Sequence, residues 1–343
     1  MRLIFSLWLA GLLTIARGAP PQTEPVSQEP QAVETPPVML QETPSTPAEP
    51  QRVIGQARSE EEATAFNALA AETDQDLKIS KGHQFLQAFP DSGLTPLVHS
   101  ELAEVYRIRV DVDNFLKHGE EALKEIPDMV NLLAAMSFYY AEGKQPFKAA
   151  ESATKALAIL GTLERPSELT PSQWMTQKFF LSGEAHYALG RVQLGQAQRL
   201  NPGGPADVPL QEAVKHFQQS LEANPIHEFA AYRLAETYER QADTENAVKL
   251  YARAAAMEGN IGAYAQQRLE QIYKEHPGLA PMAEVVALQK QTIEKAQQER
   301  KQLQAQIEAE SAPVDILAPA PPASSQQPPQ DEPGGNSGAV PGI

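Results

Sequence analysis

The chain has no cysteine among its 343 residues. That absence excludes a disulfide framework, a thiolate zinc site, a cysteine nucleophile and a lipid-acceptor cysteine. Positive charge is also scarce. Lys and Arg number 28 against 44 Asp and Glu, a formal net charge of −16. Such an acidic chain is a poor non-specific ligand for nucleic acid or an anionic membrane. None of the eight asparagines begins an N-x-[ST] sequon. A secreted chain lacking both sequons and cysteines fits a bacterial periplasm or exterior better than a eukaryotic secretory route.

Catalytic signatures are missing too. There is no phosphate-binding glycine loop, no dinucleotide fingerprint and no nucleophile elbow. The seven histidines (83, 99, 118, 186, 216, 227 and 276) form no H-E-x-x-H or H-x-x-x-H pair. They read as helix residues, solvated or partly buried. Carboxylate runs such as Glu60-Glu61-Glu62 and Glu120-Glu121 belong to charged helix faces, the first favouring a helix start after Ser59. No catalytic, cofactor-binding or metal-ligating residue is assigned, and no cofactor is expected.

What is present divides the chain into five parts. Met1-Arg2, the apolar run Leu3 to Ile15 and the small-residue site Ala16-Arg17-Gly18 have the three-part layout of a secretory signal peptide, residues 1–18. The apolar run is short for a membrane span of about 20 residues. Segments 19–57 and 312–343 hold 17 of the 29 prolines, with Gln, Glu, Ser and Thr filling most of the rest. They cannot bury enough apolar area to offset chain entropy and are expected to be disordered, as solvated spacers or docking peptides. Residues 58–277 and 281–311 are rich in Ala, Leu, Glu, Gln and Lys, with apolar positions three and four apart and no convincing strand. The expected class is all-α.

The helical part repeats. From Glu228, Leu234, Ala235 and Tyr238 are followed by Ala247, Tyr251 and Ala254. Just upstream, Ala213, Phe217, Ser220 and Pro225 end a previous unit. Leu102, Ala103, Tyr106, Ala122 and Pro127 fit a unit from Pro96, and Tyr140, Ala149, Ala153 and Ala156 fit the next, 34 residues on at Val130. Small residues allow two antiparallel helices to approach, tyrosines fill wider gaps, and Pro127 and Pro225 end second helices. One helix pair cannot bury its apolar face alone, so stacking is required.

These residues resemble the tetratricopeptide repeat, over about residues 59–277. The resemblance implies units near 59–92 (a degenerate cap), 96–129, 130–163, 177–227, 228–261 and a partial unit at 263–277. It departs from the pattern at Gly161, which stands where a proline would, and in an insertion around Arg191 to Pro209. The insertion reads as an extended first helix followed by an irregular loop. Residues 281–311 read as a long helix that caps the last repeat with Met282, Val285 and Val286 and then projects into solvent. The alternative is a homodimer seam through Val286, Ile293, Ala296, Leu303 and Ile307, weakened by Gln289 and Arg300.

In such repeats the first helices line a concave groove that holds a peptide or a partner helix. Repeat phase places Glu104, Arg107 and Ile108 there from the Pro96 unit, Asn131, Phe138 and Glu142 from the next, and Phe229, Tyr232, Glu236 and Arg240 from the Glu228 unit. The Lys and Asn clamp of chaperone-binding members is absent, its positions in the Pro96 unit being Ser100 and Glu104. The implied function is an exported, periplasmic or secreted, non-enzymatic scaffold for protein–protein interaction. One alternative is an accessory of envelope assembly or secretion. Another is an enzyme using the 191–209 insertion, which has no motif behind it. No nucleic acid and no direct lipid anchor are expected. The core carries net −11, which favours a basic or neutral partner.

Overall fold

The computed structural model describes residues 53–200, 207–257 and 259–311. The signal peptide, most of the first proline-rich segment, the second one and the Asn201-to-Pro205 turn lie outside the described residues. Among those described there are twelve α-helices and no strand. They are α1 (Glu60–Ala70), α2 (Gln75–Ala88), α3 (Thr95–Ile108), α4 (Val112–Glu125), α5 (Val130–Glu142) and α6 (Pro146–Thr162). They continue with α7 (Pro171–Arg199), α8 (Asp207–Ala223), α9 (Glu228–Arg240), α10 (Thr244–Ala256), α11 (Gly262–Glu275) and α12 (Met282–Ser311).

Successive helices pair as hairpins, α3 with α4, α5 with α6, α7 with α8 and α9 with α10, and each hairpin packs on the next. The fold is an all-α, tetratricopeptide-like solenoid. Small residues sit at the close contacts: Ala103, Ala149, Ala235 and Ala247 are wholly buried. Two glycines missed in the sequence do the same work more tightly. A Cβ on Gly190 would lie 2.7 Å from the Phe217 ring, and one on Gly119 2.6 Å from the Met136 sulfur. Backbone approach of this kind leaves no room for a methyl group. Gly190→Ala is therefore expected to destabilise the α7–α8 hairpin by about 1–3 kcal/mol, read as a lower urea midpoint with an unchanged m-value.

The repeat also shows in the turns. Val110, Lys144 and Ala242, each in the turn between two paired helices, adopt φ of 60°, 58° and 60°. Val110 and Lys144 are one repeat apart. The left-handed conformation brings Cβ against the backbone and is least tolerable for a β-branched residue. Val110→Gly is expected to stabilise the chain by about 1 kcal/mol, checked by urea denaturation. The next helix starts identically in two units. Asp111 accepts from the Asn114 amide at 3.2 Å, and Asp243 accepts from the Asn246 amide at 3.1 Å. Both carboxylates also take a bond from the asparagine side chain at 2.7 Å. Ser59 caps α1 by accepting from the Glu62 amide at 3.1 Å.

α7 is the irregular element. Thr170 and Gln173 form a capping box at its start, and it runs 29 residues. The extended first helix expected to open the insertion ends at Arg199.

α12 differs from expectation. Its first turns do pack on the last repeats, with Met282, Val285 and Val286 against that core. Its far end does not project freely. Gln304 donates to Thr176 at 2.6 Å, and Thr170 donates to Glu308 at 2.6 Å. Arg300 lies 4.6 Å from the centre of the Phe179 ring and donates to the Glu222 carbonyl at 3.1 Å. The helix is a strap from α10 across the end of α8 to the start of α7. Ile293, in the middle of the strap, is buried. The stripe assigned to a dimer seam is turned towards its own chain, except Leu303, which is exposed.

Candidate functional site

The first helices α5, α7, α9 and α11 carry a connected polar and aromatic face, and α3 carries a separate pair. The centre of the face is Glu142 at the end of α5. The carboxylate accepts from the Tyr187 hydroxyl at 2.6 Å and Arg191 Nε at 3.1 Å on α7, and from Arg233 Nη2 at 3.1 Å on α9. Burial pushes its pKa up, but the Tyr187 hydroxyl and the two guanidinium groups outweigh that and hold it below the ordinary carboxylate range. Arg233 also pairs with Glu236 at 3.0 Å, and Glu236 with Arg240 at 3.6 Å. Arg268 on α11 pairs with Glu239 on α9. On α3, Arg107 grips Glu104 through two bonds of 2.7 Å. The result is a ladder of alternating Glu and Arg across successive repeats.

Aromatic rings fill the space beneath. Phe138 stacks on Tyr187 at 5.1 Å and meets Phe229 edge-on at 5.2 Å. Tyr187 stacks on His227 at 4.9 Å. Tyr232 meets Tyr251 edge-on at 5.3 Å. Towards the C-terminal end, Tyr232, Glu236, Glu239, Arg240, Tyr251 and Arg268 line an open cleft of about 380 Å³.

The ten residues placed by repeat phase do not all meet. Phe138, Glu142, Phe229 and Glu236 join the central network, and Tyr232, Glu236 and Arg240 line the cleft. Glu104 and Arg107 form a separate pair further along. Ile108 is exposed at the end of α3. Asn131 is occupied, accepting from Gln177 Nε2 at 3.2 Å. Repeat phase missed the contribution of α7, namely Glu184, Tyr187 and Arg191. The signal was available: these residues lie three and four apart on one helix face. The insertion hid it by breaking the phase.

Six of the histidines lie at helix contacts. His99 Nδ1 is 2.9 Å from His118 Nδ1, and His186 Nδ1 is 3.3 Å from His216 Nδ1. His83 meets the Tyr106 hydroxyl at 3.1 Å. His227 Nδ1 accepts from the Ala230 amide at 3.3 Å, capping α9. Burial, then the neighbouring imidazoles and lysines, lowers His118 and His186 to about 4, and burial alone does so for His227. Burial raises Glu184 to about 7, against the pull of Arg107. Among the described residues no group of three or more His, Asp or Glu is placed to share a metal ion.

The signs follow from linkage. A histidine whose folded pKa lies below its unfolded value of 6.5 gives its full stabilisation above that pH. It loses it as pH falls through 6.5 towards 4. Glu184 acts oppositely, its contribution fading as pH rises from 4.5 through 7. Three histidines outweigh one carboxylate, so the melting temperature is expected to fall between pH 7 and pH 4.5. Differential scanning calorimetry would show this, with a shallower slope for His118→Asn plus His186→Asn.

No known protein family matches this sequence, and no curated protein matches it. Several solved structures are loosely similar. The crystal structure of MamA is 18% identical over 59% of this chain and 97% of its own, with a TM-score of 0.35. PilW, a type IV pilus biogenesis factor, is 15% identical over 67% of this chain and 99% of its own, with a TM-score of 0.40. PilF of Pseudomonas aeruginosa is 14% identical over 69% of this chain and 99% of its own, also at 0.40. Likenesses this loose say nothing about function. By the period of its own hairpins, the small residues at their contacts and the order in which they stack, the chain has the tetratricopeptide-repeat fold.

Proposed function

We propose that the chain is an exported, non-enzymatic scaffold that binds a protein partner along the groove formed by its first helices. The observation that carries this reading is the joined face of α5, α7 and α9, where Phe138 and Phe229, over the buried Tyr187, lie beside a Glu and Arg ladder and an open cleft. Aromatics and arginines are the residue types that dominate binding energy at protein interfaces. A second reading, an accessory of envelope assembly or secretion, would use the same groove with a different partner. Export rests on the leader at residues 1–18. No helix among the described residues is long and apolar enough to cross a membrane. Since the α12 stripe is largely taken up within the chain, the scaffold acts as a monomer in this reading.

The test is affinity capture from the envelope fraction, comparing wild type with Tyr232→Ala plus Arg240→Ala. Both side chains line the cleft, and neither holds the α5–α7–α9 network together. Loss of a specific partner at unchanged helicity supports the groove. An unchanged set of partners counts against it.

A further inference from the structure

Glu184 is the carboxylate of this face that lacks a cation of its own. Glu104 holds Arg107, Glu142 holds Arg191 and Arg233, Glu236 is shared between Arg233 and Arg240, and Glu239 holds Arg268. Glu184 has only His227, whose Nε2 is 3.6 Å away, beyond hydrogen-bond distance. Because His227 Nδ1 accepts from the Ala230 amide, the ring proton is on Nε2 and the imidazole is neutral. That buried Nε2 has no hydrogen-bond acceptor, and His227 is only 5% exposed. Arg107, the guanidinium that faces Glu184, is committed to Glu104 through both of its bonds. A carboxylate taken from water without a cation or donor is costly, and one incoming positive charge removes the cost.

The Glu184 side chain is 17% exposed. Around it stand His227 and, stacked on that ring, Tyr187, with Phe138 6.5 Å from the same imidazole. Phe138 is the partly exposed ring of the three, and a long aliphatic stem would lie on it with its charged head at the carboxylate. The proline-rich segments offer little of such a head: 312–343 contains no Lys or Arg, and 19–57 contains only Arg52.

We propose that Glu184 anchors a Lys or Arg side chain of the bound partner segment, the head pairing with the carboxylate and the stem packing on Phe138. This rests on the groove reading above and adds the chemistry of its ligand. Pairing needs the ionised carboxylate, which burial disfavours below about pH 7. Arg107, Tyr139 and His227 are the other titratable groups that face it. Binding of a cation therefore displaces a proton and strengthens as pH rises from 6 to 8.

The probe is a set of pooled 12-residue peptides, rich in aliphatic and aromatic residues, with a fixed central Arg, norleucine or Glu. Binding to the full chain is read by fluorescence polarisation at pH 6, 7 and 8, for wild type, Glu184→Gln and Phe138→Ala. The expected result is at least a 10-fold preference for the Arg pool over the norleucine pool, growing with pH. Both the preference and its pH dependence should vanish in Glu184→Gln, whose fold is checked by circular dichroism. An Arg preference that survives in Glu184→Gln overturns the proposal. Equal binding of all pools that is lost in Phe138→Ala also overturns it, while leaving the groove standing. Binding of no pool removes the groove reading and the proposal with it.

Discussion

Replacing Glu142 by alanine is expected to destabilise the chain by about 3 kcal/mol, because it strips the shared partner from Arg191, Arg233 and the buried Tyr187 hydroxyl at once. Each of those groups was brought out of water on the strength of that carboxylate. Arg233 keeps Glu236, but Arg191 loses its ion-pair partner and the Tyr187 hydroxyl loses its acceptor. The change acts across three repeats, since Glu142 is the link between α5, α7 and α9. Urea denaturation of Glu142→Ala should show a lower midpoint. It should also broaden if the N-terminal and C-terminal repeats begin to unfold separately, as nearest-neighbour coupling in a solenoid implies. Glu142→Gln keeps the hydroxyl bond and one acceptor, and should lie between the two.

Replacing Ile293 by aspartate is expected to cost about 3 kcal/mol locally and to release α12 from the solenoid. Ile293 is the buried residue in the middle of the strap, between the apolar start at Met282, Val285 and Val286 and the polar end at Arg300 and Gln304. An aspartate there would be buried without a partner, and the far half is then held by the Arg300–Phe179 ring contact and exposed hydrogen bonds of modest worth. Hydrogen exchange should become fast over 290–311 while α3 to α6 stay protected. In sedimentation velocity the wild type is expected to be monomeric. The variant should remain monomeric but sediment more slowly. A wild-type dimer would restore the seam reading.

Much of this was legible in the sequence wherever the chain keeps its phase. The alanines at 103, 149, 235 and 247 announced the helix contacts, because only small side chains allow that approach. Phe138 and Glu142 on α5 and Phe229, Tyr232 and Glu236 on α9 were placed on one face by the same phase. Three features were not legible, each for a physical reason. α7 extends through the place where a turn was due, so Glu184, Tyr187 and Arg191 lost their repeat address. The path of α12 depends on polar contacts such as Gln304 with Thr176, 128 residues apart in sequence, which no periodicity encodes. The imidazole pairs His99–His118 and His186–His216 join different helices, so they produce no i, i+4 pattern on either. The overall acidity was also a poor guide to the site, where Glu and Arg largely neutralise each other and only Glu184 is left over.

The central claim is that the first-helix face receives a protein partner, and site-specific photo-crosslinking in cells tests it most directly. A photoreactive p-benzoylphenylalanine would replace Tyr232 in the cleft or, as a control, Phe147, which is 90% exposed at the start of the second helix α6. The account predicts a discrete adduct from position 232, absent from position 147 and lost when Arg240→Ala is added. A discrete adduct from position 147 alone, or identical adducts from both positions, would contradict it.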